Sequence, residues 1–332
     1  MKVPLVSVLI PCYNAEKYIG ETLESVFQQT WRKIEVIVVD DGSTDRSIEI
    51  IQQYEAANCL VIREGHGGAC FARNRALKEA QGDFIQYLDA DDILGFEKIA
   101  SQIHLLDNSP NGNICSCAWS HFSSYPGEQE VRPEPVWRNF RPEEFLIASW
   151  MGGGMMPPIA WLTPRSIVDD AGPWNEELSV NDDGEYFARA ILASSGVTFC
   201  PEASVYYRTT AAPSVSKDKS RKGMVSALRA IELSSSHLLS RVTSKEARLA
   251  SACSYQRFVF DCYPAFPDLV KRGEEAAHLL GGGVLRCPGG PAFRITSNLL
   301  GWKAARRVQA FTHCLFTRRR IELGNRSLLK SV

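Results

Sequence analysis

The feature that most constrains the fold is an alternation of two hydrophobic periodicities within the first hundred residues. Val6–Ile10 and Ile34–Val39 are short, β-branched and almost wholly apolar, which is typical of strands buried on both faces. Between them, residues 19–27 carry apolar side chains at helical spacing. The same order then repeats as strand, helix and strand over Cys59–Arg63, Ala69–Ala80 and Phe84–Leu88. This alternation predicts an α/β fold with a mostly parallel central sheet and helices on both faces.

The chain beyond residue 110 has weaker patterns. Residues 126–142 are rich in loop-forming residues, and residues 182–195 are predicted to form a helix with acidic residues in its first turn. Residues 216–280 have a helical pattern, and glycines and prolines between 281 and 291 indicate a linker before a last basic helical segment. We therefore expect a C-terminal helical extension after the α/β region.

Polar residues follow three of the predicted strands. They are Pro11–Asn14, Asp40–Asp45 and Asp89–Asp92. Ligands of parallel sheets bind at the carboxyl ends of the strands, so these loops predict one pocket. Asp89 and Asp91 can face a common site, and their repulsion favours a cation between them, Mg²⁺ or Mn²⁺ for oxygen ligands. The alternative interpretation is an acidic turn that caps the next helix.

Two other kinds of site start from the same stretches. Gly65–Cys70 resembles the dinucleotide fingerprint Gly-x-Gly-x-x-Gly, but a cysteine stands in the third position and the segment follows the third strand. The Asp89-x-Asp91 pair also resembles the nucleophile motif of haloacid-dehalogenase-like phosphatases. The following Asp92-Ile93 does not fit that pattern.

Five blocks of sequence together resemble family 2 glycosyltransferases. The blocks are Val6–Asn14, Ser25–Thr30, Glu35–Asp45, Ala72–Asn74 and Gly82–Asp92. They follow one another with the order and spacing of that family over 92 residues. The resemblance implies a GT-A fold over residues 1–215, with a nucleotide-binding half at 1–110 and an acceptor half at 111–215. Residues 216–332 would form the helical extension.

The same resemblance implies roles for the strand-end residues. Pro11 and Tyr13 would line the base pocket, Asp40 and Asp41 would bind base and ribose, Arg73 would lie near the nucleotide, Asp89 and Ala90 would follow ribose and diphosphate, and Asp91 would bind Mn²⁺ or Mg²⁺. A carboxylate that accepts from an imide N–H selects uracil over cytosine. The expected donor is therefore a UDP-sugar.

A catalytic base is expected in the acidic group at residues 182–185. The family has an acidic pair at the start of a helix with an arginine six residues later, and Asp183 and Arg189 occupy those positions. Asp182 and Glu185 are rivals for the same role, and a carboxylate there could also serve only as a helix cap. The implied reaction inverts the anomeric carbon in a single displacement by an acceptor hydroxyl, which belongs to a glycan or a lipid-linked carrier.

Charge is unevenly distributed although the net charge is only −1. The segment 301–332 has eight basic residues and one acidic residue, which leaves −8 on the first 300 residues. An amphipathic basic helix with Trp302, Ala305, Val308 and Leu315 or Phe316 on one face, and Arg318 to Arg320 among its charges, would suit an anionic membrane surface. A helix packed on the protein is the alternative, and no nucleic acid partner is expected, because no aromatic and basic interleaving accompanies the charge.

The expected location is cytoplasmic, with peripheral binding to the inner face of the plasma membrane as a further expectation. The first apolar run is too short for a signal peptide, and no stretch is long enough to span a bilayer. The ten cysteines show no repeated spacing, so we expect buried or idle thiols in a reducing compartment. Besides a glycosyltransferase, the sequence leaves open a catalytically silent sugar-nucleotide-binding protein and a haloacid-dehalogenase-like phosphatase.

Overall fold

The computed structural model describes residues 3–55, 58–109, 112–209 and 218–309. Its strands are β1 (Val6–Cys12), β2 (Ile34–Asp40), β3 (Cys59–Arg63), β4 (Phe84–Tyr87), β5 (Ile93–Leu94), β6 (Asn113–Phe122), β7 (Thr163–Pro164) and β8 (Gly196–Arg208). Its helices are α1 (Ile19–Phe27), α2 (Ser47–Gln52), α3 (Ala69–Glu79), α4 (Lys98–Asp107), α5 (Pro142–Ala148), α6 (Arg165–Ala171), α7 (Asp182–Ala193), α8 (Arg221–Arg241), α9 (Lys245–Cys262), α10 (Pro267–Leu279) and α11 (Pro291–Leu300).

The first sheet has the strand order β3-β2-β1-β4-β7. Its first four strands are parallel, and β7 is antiparallel to β4. Every predicted strand of the first hundred residues lies in this sheet, and the crossovers run through α1, α2 and α3. The predicted α/β class with a mostly parallel central sheet is therefore confirmed.

Alternating side chains of each central strand pack into two separate hydrophobic cores, one on each face of the sheet. Leu9, Ile37 and Tyr87 face a cluster that includes residues of α3, α6 and α7. Val8 and Val38 face the opposite cluster, with residues of α1 and α4. Since both faces are covered, the strands need apolar side chains at successive positions, which is why the runs have no polar alternation.

A second sheet, with the order β5-β8-β6, was not predicted from the sequence. Strands β6 and β8 are parallel, with a register shift between Cys117 and Ala118, and the two-residue β5 is antiparallel to β8. Because β5 directly follows the loop Asp89–Asp92, this sheet joins that loop to the end of β8. The second sheet thus connects the acidic loop after β4 to β8, a strand from the second half of the chain.

The chain divides into two compact units, Met1–Ser251 and Ala252–Val332. Helix α8 belongs to the first unit. In the second unit, Trp302 packs edge-on against Phe260 at 4.9 Å between ring centroids, and Ala305 is buried. The tail positions Leu315, Phe316 and Arg318 to Arg320 lie outside the described residues.

Two further findings concern membranes and thiols. No helix in the described ranges is long and apolar enough to cross a membrane.

The described cysteines are free, and all of them except Cys287 are buried. Burial raises the pKa of thiols such as Cys12 and Cys59, each to about 12, so these groups stay protonated at neutral pH.

Candidate active site

The loops after β1 and β2 are tied together by the side chain of Asn14. Its amide oxygen accepts the Thr44 backbone N–H at 2.8 Å, and the backbone N–H of Asn14 donates to the Ser43 hydroxyl at 2.9 Å. Asn14 adopts a positive φ of 49°, a conformation that asparagine tolerates better than most residues. This turn leaves Tyr13 half exposed, with its ring 4.5 Å from the ring of His66. Pro11 lies just before it, in register with Val39 of β2.

Asp40 and Asp41 are both buried, but their carboxylates have different surroundings. Asp41 accepts the backbone N–H groups of Gly67 and Gly68 at 2.7 and 2.8 Å, so it fixes the glycine-rich loop that precedes α3. Asp40 Oδ1 has no hydrogen-bond partner within the described part of the chain. An unpaired buried polar atom is costly, so Asp40 keeps an unused acceptor, whereas both carboxylate oxygens of Asp41 already accept hydrogen bonds from the protein.

Arg73 lies at the centre of the polar cluster. Its Nη2 donates to Asp89 at 2.8 Å and its Nη1 to Asp182 at 2.9 Å, while the guanidinium stacks over the Trp174 ring at 4.4 Å. The two carboxylates raise the pKa of Arg73 further above its usual range, although burial alone would lower it. A permanently charged, planar fork can join two acids from distant segments in a way that lysine could not.

The neighbouring Asn74 fixes the turn that carries Trp174. Its Nδ2 donates to the Trp174 carbonyl at 2.9 Å, and its Oδ1 accepts the Trp174 N–H at 2.8 Å. Trp174 in turn stacks on Tyr186 of α7, with parallel rings 4.1 Å apart. The block Ala72–Asn74 thereby connects the nucleotide half of the chain to the helix that carries the expected base.

The loop after β4 is held from behind by Arg208, the last residue of β8. Its Nε donates to the Asp91 carbonyl at 2.7 Å, and its backbone N–H donates to Asp92 at 2.8 Å. Its guanidinium also lies over Phe122 at 4.3 Å and forms an ion pair with Glu21. Ala90 is buried, and its carbonyl accepts the Thr22 hydroxyl. The aspartates of this loop therefore have a fixed backbone.

The contacts of Arg208 with the buried Asp92 and with Asp91, which hold this loop, were not predicted from the sequence. Arg208 falls within the expected acceptor half, residues 111–215, but no local pattern says that it reaches Asp91 and Asp92. The signal could only have come from the pairing of β5 with β8.

Asp91 fits a divalent cation by its chemistry. Burial first, and then the charge of Asp89, raise the pKa of its carboxyl to about 6. Two carboxylates in this arrangement repel one another, and a cation would relieve that repulsion. Within the described ranges no three His, Cys, Asp or Glu side chains form a metal cage. A site with one or two carboxylates matches the way Mg²⁺ is held together with substrate phosphates.

The three acids at the start of α7 have different partners. Asp182 accepts from Arg73 and from the Cys70 thiol at 3.2 Å. Glu185 is buried and accepts twice from Arg189, at 2.8 Å in each case. Arg189 also donates to the Pro173 carbonyl at 2.9 Å, so this pair holds the Gly172–Trp174 turn. Both rivals for the base role are therefore engaged in ion pairs.

Asp183 has the properties expected of a general base. It accepts the Gly184 N–H at 2.8 Å, and no ion pair reaches it among the described residues. Burial, followed by the charge of Asp182, raises its pKa to about 6. The charge of Asp89 in the acidic loop after β4 contributes to the same upward shift of the pKa. A carboxylate with a pKa near neutrality can accept a proton more readily than an ordinary aspartate.

The amino-acid sequence is similar to those of known glycosyltransferases. The family described as glycosyl transferase family 2 matches residues 7–169. An uncharacterized glycosyltransferase of Haemophilus influenzae is 39% identical over 124 residues, which cover 35% of this chain and 50% of that protein. The UDP-Glc:α-D-GlcNAc-diphosphoundecaprenol β-1,3-glucosyltransferase WfaP of Escherichia coli is 41% identical over 104 residues, or 31% of this chain and 41% of WfaP. The chain thus spans half or less of the length of these relatives.

Solved structures show a similar fold at low identity. TarS of S. aureus in complex with UDP-GlcNAc has a TM-score of 0.61 and 19% identity, with 83% of this chain and 88% of that chain covered. The mannosyltransferase PcManGT of Pyrobaculum calidifontis in complex with GDP-Man and Mn²⁺ has a TM-score of 0.54 and 18% identity, with coverage of 93% and 84%. At this identity the likeness concerns the fold alone.

Proposed function

Because this chain belongs to glycosyl transferase family 2 and has the GT-A fold, we propose that it is an inverting glycosyltransferase. It transfers a sugar from a UDP-sugar to a hydroxyl group of a glycan or a lipid-linked carrier. The family match argues against the phosphatase interpretation. In addition, Asp89, which would be the nucleophile of such a phosphatase, is bound by Arg73.

One observation carries the proposal of catalysis rather than silent binding. Arg73 bonds both Asp89 and Asp182, and Glu185 is bonded by Arg189, whereas Asp183 has a raised pKa and no ion pair among the residues that the structure describes. A helix cap alone would not need a half-buried carboxylate that is repelled by its acidic neighbours. The cost of keeping Asp183 in this state is explained if the group works as a base.

The mechanism follows from the position of these side chains. Asp183 accepts the proton of the acceptor hydroxyl as the oxygen attacks the anomeric carbon from the side opposite the diphosphate. The bond from that carbon to the diphosphate oxygen breaks in the same step. Arg73 keeps Asp89 and Asp182 in place throughout, and the fixed Asp91 would hold a divalent cation, Mn²⁺ or Mg²⁺. When bound, such a cation supplies positive charge to the leaving diphosphate.

The preference for uridine rests on Asp40 and on the relatives. An unpartnered buried carboxylate oxygen at the base pocket suits an imide N–H donor, which uracil has at its ring nitrogen. TarS is known in complex with UDP-GlcNAc, and the name of WfaP gives UDP-Glc as its donor and a lipid-linked GlcNAc as its acceptor. These relatives support a UDP-sugar donor and a cell-envelope acceptor for this chain.

The test is a screen of nucleotide sugars against the purified full chain. We expect release of UDP from one UDP-sugar in the presence of Mn²⁺ or Mg²⁺, faster with a suitable glycoside acceptor and abolished by a chelator. Binding of a UDP-sugar without turnover in any acceptor trial would favour a silent binding protein. Hydrolysis of simple phosphomonoesters without an acceptor would favour a phosphatase.

A further inference from the structure

A cavity of about 560 Å³ opens beside the carboxyl ends of β6 and β8. Its lining includes Trp119 and His121 of β6, and Glu130, Arg132 and Glu134 of the following loop. Its size falls in the range of small-molecule sites, which combine aromatic walls with a few convergent polar groups. None of these residues has a role in the donor site described above.

The aromatic wall is built from rings on one face of the second sheet. The rings of Trp119 and His121 are 5.0 Å apart and nearly perpendicular, and Tyr207 lies edge-on to His121 at 5.5 Å. The indole N–H of Trp119 donates to the Met155 carbonyl at 3.2 Å, which fixes the plane of the ring. An ordered aromatic face of this kind can pack against the C–H groups of a sugar ring.

Three charged side chains of the lining supply groups that bind hydroxyls. Glu134 accepts the Met155 N–H at 3.0 Å, and partial burial raises the pKa of its carboxyl. A Cβ on Gly154 would collide with the Glu134 side chain, so the glycine lets this carboxylate lie close to the backbone. Glu130 and Arg132 are exposed and can rearrange around a ligand. Two carboxylates beside one guanidinium give the lining a net negative charge, which disfavours phosphate, and the carboxylate oxygens can accept hydrogen bonds from the hydroxyls of an uncharged sugar.

The cavity is connected to the acidic loop through the end of β8. His121 shares a hydrogen bond of 3.2 Å with the hydroxyl of Thr209, which follows Arg208 in the chain. Arg208 in turn donates to the carbonyl of Asp91. Thr209, which bonds His121 of the aromatic wall, is therefore the next residue in the chain after Arg208, which holds the expected metal loop.

We propose that this cavity binds a neutral pyranose ring of the acceptor glycan, with the ring packed into the corner that the perpendicular rings of Trp119 and His121 form and its hydroxyls bonded to Glu130, Arg132 and Glu134. The proposal rests on the proposed glycosyltransferase function and adds the place and chemical class of the acceptor. The site holds an uncharged sugar of the acceptor and excludes a phosphorylated one.

The test is saturation-transfer NMR on the full chain with UDP, Mg²⁺ and a panel of methyl glycosides, with calorimetric UDP binding measured in parallel. We expect one neutral glycoside to bind, and His121→Ala and Trp119→Ala to weaken it about tenfold, the scale of a lost aromatic contact. UDP affinity should change less than about twofold. Tyr125→Ala is the matched control, because Tyr125 is an exposed aromatic on the same loop and is not part of the cavity wall.

Three outcomes would overturn the proposal: unchanged glycoside binding in both alanine variants, absence of binding by every neutral glycoside, or equally tight binding of glucose 6-phosphate. If Trp119→Ala does not fold, His121→Ala and Glu130→Gln decide the matter, since both side chains are exposed. Glycoside binding is read without turnover. Failure of the cavity proposal is thus distinct from failure of the proposed function, which would appear as no turnover of any nucleotide sugar.

Discussion

Arg73 holds Asp182 through an ion pair of 2.9 Å between Nη1 and Oδ2, although 109 residues separate the two along the chain. The other end of the same guanidinium holds Asp89. Because Arg73 already binds Asp182, Asp182 is not available as a general base at the start of α7. It also couples the acidic loop after β4 to the helix that carries Asp183.

Replacement of the base should abolish turnover without harming donor binding. Asp183→Asn keeps the shape of the side chain but cannot accept a proton, so we expect turnover to fall by roughly 10² to 10⁴. UDP affinity, measured by titration calorimetry, should barely change. Asp170→Asn, which removes an exposed carboxylate on α6, is the control and should leave both quantities intact. Normal turnover in Asp183→Asn together with an inactive Asp182→Asn would move the base to Asp182.

The raised pKa of Asp183 also predicts a stability effect of defined sign. Its folded-state pKa of about 6 lies above the ordinary value of 3.8, so folding takes up a proton between these values. The ionised group therefore destabilises the fold above about pH 6, and this effect disappears as the pH falls towards 4. Asp183→Asn should raise the free energy of unfolding at pH 7.5 by about 1 to 3 kcal/mol. Urea denaturation at pH 4.5 and 7.5 would show the gain shrinking at the lower pH, and a gain equal at both would contradict the assignment.

The planar fork of Arg73 should be irreplaceable. Arg73→Lys retains a charge but cannot reach Asp89 and Asp182 together while stacking on Trp174, so two carboxylates lose part of their compensation. We expect a loss of about 3 to 5 kcal/mol in the free energy of unfolding, the scale for breaking a buried ion pair. Arg75→Lys on the same helix is the matched control, since the Arg75 side chain, which pairs with Glu64 and Glu79, is itself 27% exposed whereas that of Arg73 is 7% exposed. It should cost under about 1 kcal/mol.

The metal prediction concerns Asp91. Asp91→Asn should abolish the dependence of UDP binding on Mn²⁺ or Mg²⁺, because the amide loses the charge that a cation requires. Its contacts to Arg208 run through the backbone carbonyl, so the fold should survive. Titration calorimetry of UDP with the cation and with a chelator measures the effect. UDP binding that remains equally metal-dependent in the variant would show that another residue holds the cation.

The basic tail predicts binding to anionic membranes. Trp302 and Ala305 are packed within the second unit, so contact with lipid would fall to the exposed Ile295 and Leu299 of α11 and to the charges further on. We expect the full chain to co-sediment with anionic but not neutral liposomes. Replacing Arg318, Arg319 and Arg320 together by Gln should weaken this about a hundredfold, at about 1 kcal/mol for each charge. Binding that ignores lipid charge and salt would contradict the prediction.

The sequence by itself determined the first sheet and the content of its three polar loops. The strands buried on both faces leave an unmistakable apolar pattern, and the residues at their carboxyl ends must meet at one edge. The order of the blocks also determined the family, and with it the expectation that a base lies near residue 183.

Only the tertiary structure decided how the acids are distributed. Which of Asp182, Asp183 and Glu185 is free depends on Arg73 and Arg189, and Asp41 serves the Gly67–Gly68 loop rather than lying open beside Asp40. The second sheet, the reach of Arg208 to the acidic loop and the aromatic cavity beside β6 were likewise invisible in the sequence. The physical reason is that these features are contacts between segments far apart in the chain, whereas local hydrophobic periodicity reports only whether a residue is buried.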